Sequence, residues 1–102
     1  MPKIYEYFGV FFYVWTNDHS PIHVHCQYEN KECVFELIIV NEKLIEVKKR
    51  KTPNTLPLAQ QKIALELIQA KYMDIADKWF NIVVHGETKV KTIVINRKIK
   101  KQ

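Results

Sequence analysis

Glycine and proline are scarce in this chain, since two glycines and four prolines among 102 residues leave little room for flexible linkers. Cysteine is as rare: Cys26 and Cys33 are the only two, and they form no C-x-x-C motif. Because a reducing compartment keeps such thiols unpaired, we expect two free cysteines. The hydrophobic fraction of 47% and the aromatic fraction of 12% exclude a disordered chain. We therefore expect one compact domain over residues 1–102.

Long hydrophobic runs are also missing. The longest apolar stretch extends from Tyr7 to Trp15, nine residues, whereas a membrane-spanning helix needs about 20. The start of the chain, Met-Pro-Lys-Ile-Tyr-Glu, lacks the basic-then-apolar order of a signal peptide. These two absences predict a cytoplasmic protein that does not cross a membrane.

The first half of the chain predicts strands, because its segments are rich in β-branched and aromatic residues and are separated by turn-type residues. The predicted strands are 3–8, 10–16, 22–28, 32–40 and 44–49. From Pro57 the apolar residues recur at steps of three and four, which predicts one helix of about 25 residues that ends before Gly86. Segment 89–95 is predicted to return as a closing strand. We expect an α+β fold: a curved antiparallel sheet of about five to six strands packed by the long helix.

Three of the four histidines lie within seven residues, in the segment Asn17-Asp18-His19-Ser20-Pro21-Ile22-His23-Val24-His25. Alternation along a strand places His23 and His25 on one face, with their Cα atoms about 7 Å apart. Both rings can therefore bind one ion, while His19 is placed to add a third nitrogen and Asp18 to add a carboxylate. This pattern is similar to a three-nitrogen zinc site or to a site of two histidines and one carboxylate. It predicts a divalent metal such as zinc, bound by Asp18, His19, His23 and His25.

The pairing of this strand with the next predicts a further member of the site. A two-residue turn at Asn30-Lys31 would place His25 opposite Glu36, which makes Glu36 a candidate partner of the histidines. As an enzyme, the protein would use His23 or His25 as a general base, with Glu36 as the third candidate catalytic residue. Two alternatives stand beside a metal site: a metal-free functional pocket, and histidines that serve only the structure of the sheet.

Basic residues give the chain a net charge of +5 and are concentrated in Lys48-Lys49-Arg50-Lys51 and in the tail from Arg97 to Lys101. Such segments provide an electrostatic footprint for a phosphate backbone or an acidic protein. A lysine-rich solvated surface is the alternative. We predict Lys48, Lys49, Arg50 and Lys51 as phosphate or nucleic-acid contacts. An exposed sheet edge would also allow a homodimer.

Several segments together resemble the bacterial domain-of-unknown-function family 4160. They are the initial Met-Pro-Lys-Ile, Phe8-Gly9-Val10, the histidine segment 17–25, Tyr28 and Ala76-Asp77-Lys78-Trp79. The hallmark of that family, D-H-x-P-P-H-F-H, corresponds here to Asp18, His19, His23 and His25, but the family carries no established reaction. Its members are often encoded beside a second small family, number 2442. The resemblance therefore implies a two-protein module of toxin-antitoxin type, with a small co-encoded partner.

Two functions fit these observations, and they leave open whether the protein is an enzyme. The first is a binding or regulatory component of that two-protein module, which would use its histidine-rich surface for interaction. The alternative is a metal-dependent or histidine-based hydrolase or nuclease that acts on a phosphate-containing substrate.

Overall fold

The computed structural model describes residues 2–99. Its elements in chain order are β1 (Lys3–Tyr7), β2 (Val10–Tyr13), β3 (His23–Tyr28), β4 (Lys31–Val40), β5 (Lys43–Lys49), α1 (Leu58–Trp79) and β6 (Ile93–Ile95). Helix α1 continues directly into a π-helical turn at Phe80–Val84. The six strands form one sheet against which the helix packs, so the predicted α+β fold is confirmed.

The sheet has the strand order β5-β4-β3-β2-β1-β6. Neighbouring strands are antiparallel, except that β6 lies parallel to β1. Two strands are shorter than predicted by more than one residue. Strand β2 ends at Tyr13 because the chain then turns into a loop over residues 14–22, and the closing strand pairs with β1 only over Ile93–Ile95.

One face of the sheet carries the core. Side chains of β1 to β4 that point toward α1 are buried, and they meet the apolar side of the helix. The largest of these side chains from the sheet are Tyr5, Tyr7, Phe12 and Phe35. The helix contributes Ala64, Leu67, Ile68, Ile75 and Trp79, whose steps of three and four explain the predicted periodicity.

Two buried tyrosines tie β1 to the helix through their hydroxyl groups. Tyr5 donates to Asp74, which also accepts from Lys78 Nζ at 2.6 Å. Tyr7 donates to Glu66 and accepts from the backbone N–H of Ile99 at 3.0 Å. Each hydroxyl therefore has a partner where burial would otherwise leave a polar group unsatisfied.

The opposite face of the sheet, which we call the open face, carries the alternate residues of each strand. Phe11 lies opposite Gln27, and Tyr13 lies opposite His25. These side chains are only half-buried, in contrast to their neighbours on the helix side. The open face is where His25 and the aromatic residues of β2 come together.

The hairpin between β3 and β4 corrects the predicted register. Its turn is Glu29-Asn30 rather than Asn30-Lys31, with Tyr28 paired to Lys31 and Glu29 at a φ of 55°. The shift is two residues, so every side chain keeps its face while its partner changes. Glu36 consequently lies opposite His23, not opposite His25 as predicted.

Candidate metal centre

The loop over residues 14–22 carries Asp18 to the start of β3. Within the loop, two hydrogen bonds join Trp15 and Asp18. The backbone N–H of Asp18 donates to the Trp15 carbonyl at 3.1 Å, and Oδ2 of Asp18 accepts from the Trp15 N–H at 2.9 Å. An aspartate that bonds nearby backbone in this way is typical of tight turns. The carboxylate is thereby held against the two histidines of β3.

His23 meets this carboxylate with one ring nitrogen and the backbone with the other. Nδ1 of His23 lies 2.7 Å from the carbonyl oxygen of Pro21. Because a carbonyl can only accept, Nδ1 carries the hydrogen. The second nitrogen, Nε2, lies 3.2 Å from Oδ1 of Asp18. In a neutral ring this Nε2 therefore directs its lone pair at a carboxylate.

His25 repeats the arrangement one step along the strand face. Its Nε2 lies 3.4 Å from the carboxylate of Asp18, and its Nδ1 lies 3.3 Å from Oε1 of Glu32. The rings of His23 and His25 meet edge to face with centroids 5.3 Å apart. Both histidines thus have an acceptor behind Nδ1 and the same carboxylate in front of Nε2.

The three groups meet the spacing that a metal requires. Ligand atoms from Asp18, His23 and His25 all lie within 4.8 Å of one another. Tetrahedral zinc with bonds of about 2.0–2.1 Å places neighbouring ligand atoms about 3.3 Å apart. The two Asp18 distances of 3.2 and 3.4 Å match that edge. An acceptor behind each metal-bound imidazole is also the usual support of such sites.

The centre is enclosed but not sealed. The side chains of His23, His25 and Asp18 are 4%, 15% and 11% exposed. Two indoles border it: the ring centroid of Trp79, at the end of α1, lies 6.4 Å from His23, and that of Trp15 lies 6.0 Å from His25. Low exposure strengthens electrostatic interactions within the cluster.

Two other predicted site residues are not brought into this set. His19 is exposed and contributes no atom to the group of ligand atoms found among residues 2–99. Glu36 neighbours His23 across the strands, but its carboxylate accepts from Arg50 Nε at 2.6 Å. The β4 carboxylate that contacts His25, at its Nδ1, is that of Glu32, which lies four residues before Glu36.

The predicted basic contacts are divided between the two faces of the sheet. Lys48 pairs opposite Glu36 and shares the open face with it. Lys49 pairs opposite the core residue Phe35, and its Nζ donates to Gln61 of the helix at 3.4 Å. Arg50 is engaged by Glu36, and Lys51 is exposed beyond the end of β5. In the predicted basic tail, residues 100 and 101 lie outside the described residues.

Sequence reasoning missed Glu32, Trp15 and Trp79 as neighbours of the histidines. The alternation of β4 does place Glu32 on the open face, so the correct hairpin register would have identified it. Trp15 falls within the predicted strand 10–16 but lies in the loop that follows β2. Trp79 is a core residue, at 3% exposed, and its ring also borders His23.

These features define a class of small α+β domain in which one open sheet carries a histidine-carboxylate cluster at the start of its third strand. The chain belongs to the family described as Domain of unknown function (DUF4160), whose model matches residues 8–80. This match confirms the predicted family, and the matched range contains the whole cluster. No curated protein and no solved structure matches the chain significantly. Among the helices of residues 2–99, none has the length and apolar character to cross a membrane.

Proposed function

We propose that this protein binds a divalent transition metal, zinc in the first instance, through Asp18, His23 and His25. One observation supports the proposal above the others: two imidazole Nε2 atoms converge on one carboxylate while each Nδ1 faces a separate acceptor. Neutral imidazoles and a carboxylate present only acceptors to one another in this arrangement. A shared cation turns that mutual repulsion into three favourable bonds.

The donor set also indicates which metals fit. Two imidazole nitrogens and one carboxylate oxygen suit zinc, and the same set is used by iron in sites with open positions. Calcium and magnesium prefer oxygen ligands, so they fit this cluster poorly. Three protein ligands would leave at least one position for water or for an anionic oxygen. An open position supports the hydrolase hypothesis for a phosphate-containing substrate, with the metal as Lewis acid.

Isothermal titration of zinc into chelator-treated protein tests the proposal. We expect saturable binding of one ion per chain. Asp18→Asn, which keeps the size of the side chain, and His25→Ala should each weaken zinc binding by about 100-fold or more, because the first replaces an anionic ligand by a neutral amide and the second removes a ligand. His19→Ala is the matched control: it removes an exposed histidine of the same loop and should leave the affinity unchanged.

The same titration separates the alternatives. If zinc does not saturate a single site, the proposal fails. If His19→Ala weakens binding as much as His25→Ala, the four-ligand set predicted from the sequence is correct instead. Elemental analysis of protein purified without chelators then identifies the metal that the site acquires in the cell.

The two-protein module remains a prediction that rests on the family resemblance. It implies a stable complex with a small co-encoded protein of family 2442. Co-expression and size-exclusion chromatography of the two proteins would test it, because separate elution would contradict a stable module. The phosphate contacts of Lys48, Lys49, Arg50 and Lys51, the homodimer and the cytoplasmic location remain predictions in the same way.

A further inference from the structure

An aromatic surface adjoins the proposed metal centre on the open face. Phe11 and Tyr13 occupy alternate positions of β2, and Trp15 follows in the same phase just beyond the strand. Trp15 is 39% exposed although its ring packs edge to face on His25. An indole that is open to solvent on one side and fixed on the other offers a ready surface for a planar ring.

The charges beside the centre suit an anionic group. Cross-strand pairing aligns His23, Glu36 and Lys48 in one row on the open face. Two strand spacings place the Cα atoms of His23 and Lys48 about 10 Å apart, within reach of a long lysine side chain. Arg50 balances the intervening Glu36 through a hydrogen bond of 2.6 Å. A bound divalent ion would add the largest local positive charge.

A nucleotide combines the two requirements, since one sugar separates its planar base from its phosphate. We infer that the open face binds a nucleotide, with the base stacked on Trp15 and the phosphate at the Asp18–His23–His25 centre. This inference rests on the proposed metal centre. Lys48 supplies a second positive charge for the phosphate. The nucleotide is either a free mononucleotide or one unit of a single-stranded nucleic acid, and both present the same chemistry to this surface.

Calorimetry with adenosine 5′-monophosphate and with ribose 5-phosphate tests the inference, because the second probe lacks the base. Each probe is titrated into the full-length protein, with and without one equivalent of zinc. We expect the mononucleotide to bind about 10-fold more tightly than ribose 5-phosphate, since stacking of one base on an aromatic side chain has this magnitude. A single-stranded oligoadenylate is the third probe and distinguishes the two sources of the nucleotide.

Three variants assign the contributions. Trp15→Leu should lower the affinity for the mononucleotide about 10-fold and leave that for ribose 5-phosphate unchanged. Phe80→Leu is the matched control, because Phe80 is another exposed aromatic, at 50%, in the π-helical turn. It should change neither affinity. Lys48→Gln should weaken both probes equally, because it acts on the phosphate.

The outcomes separate this inference from the proposed metal centre. If zinc binds but the mononucleotide and ribose 5-phosphate bind equally, the base makes no contact and the nucleotide inference is wrong. If zinc fails to bind while nucleotide binding still depends on Trp15, the nucleotide surface stands and the metal centre does not. Absence of Trp15-dependent binding in both zinc conditions overturns the inference. The comparison of the two probes on the native protein holds even if a variant fails to fold.

Discussion

Replacement of Asp18 by asparagine should have opposite effects on thermal stability with and without zinc. In the zinc-free protein the Asp18 carboxylate faces Nε2 of both histidines. An asparagine amide can instead donate to one of these nitrogens, and its oxygen can still accept the Trp15 N–H. We therefore expect the zinc-free variant to melt at the temperature of the native protein or slightly above it.

With zinc the order should reverse. A ligand at 100 times its dissociation constant stabilises the folded state by about 2.7 kcal/mol. For 102 residues the entropy of unfolding is about 0.2 kcal/mol per kelvin, so the native protein should melt about 13 °C higher. If Asp18→Asn weakens zinc 100-fold, the same concentration leaves about 0.4 kcal/mol, or about 2 °C.

Differential scanning calorimetry at pH 8, with chelator or with zinc, measures all four melting temperatures. His19→Ala should show the native shift and serves as the control for a change in the same loop. Two results would refute the reasoning. One is a full zinc shift in Asp18→Asn, and the other is a zinc-free variant that melts several degrees below the native protein. The latter would mean that the Asp18 carboxylate stabilises the zinc-free protein through its contacts with the two histidines.

Three further predictions concern the support of the centre and the core. Glu32→Ala should weaken zinc about 10-fold in a titration, because it removes the acceptor behind Nδ1 of His25, whereas Glu36→Ala should not. Burial, followed by the hydrogen bond to Asp74, raises the pKa of Tyr5 above its usual 10.0. The folded state therefore retains that proton more strongly than the unfolded state does. The contribution of Tyr5 to the free energy of unfolding should be fully present below pH 10 and be lost as the pH rises above 10. In urea titrations, the free energy of unfolding of Tyr5→Phe should fall less steeply with pH than that of the native protein. Leu67→Ala should lower the free energy of unfolding by about 2–5 kcal/mol in the same assay, and a loss under 1 kcal/mol would contradict its place in the core.

The sequence correctly predicted the elements that have a regular hydrophobic pattern over many residues or a distinct composition. Helix α1 is an example, because apolar residues at steps of three and four over more than 20 residues fit no strand. The hairpin register was wrong for a local reason. Glu29-Asn30 and Asn30-Lys31 are both polar pairs, so both are compatible with a turn. The turn at Glu29-Asn30 places Glu29 at positive φ, a conformation that is uncommon for glutamate and that the sequence therefore does not predict.

The candidate site divides in the same way. Alternation alone placed His23 and His25 on one face, and proximity in sequence suggested Asp18. The contribution of Glu32 depends on the register, and that of Trp15 depends on where β2 ends. His19 and Asp18 are adjacent in sequence, yet only a folded loop decides which of the two faces the histidines of β3. The hydrophobic pattern of the sequence therefore could not predict contacts that depend on the conformation of a turn or a loop.

The parallel pairing of β6 with β1 has a consequence for the order of folding. Tyr5 pairs with Ile93, so one edge of the first strand finds its neighbour only after almost ninety further residues have been synthesised. The hairpin of β3 and β4, by contrast, joins residues that are close in sequence and are therefore synthesised close together in time. Loop closure over a long separation is slow, and an unpaired strand edge invites pairing with other chains. Among the strand edges that the folded sheet covers, this edge of β1 therefore stays unpaired longest during synthesis.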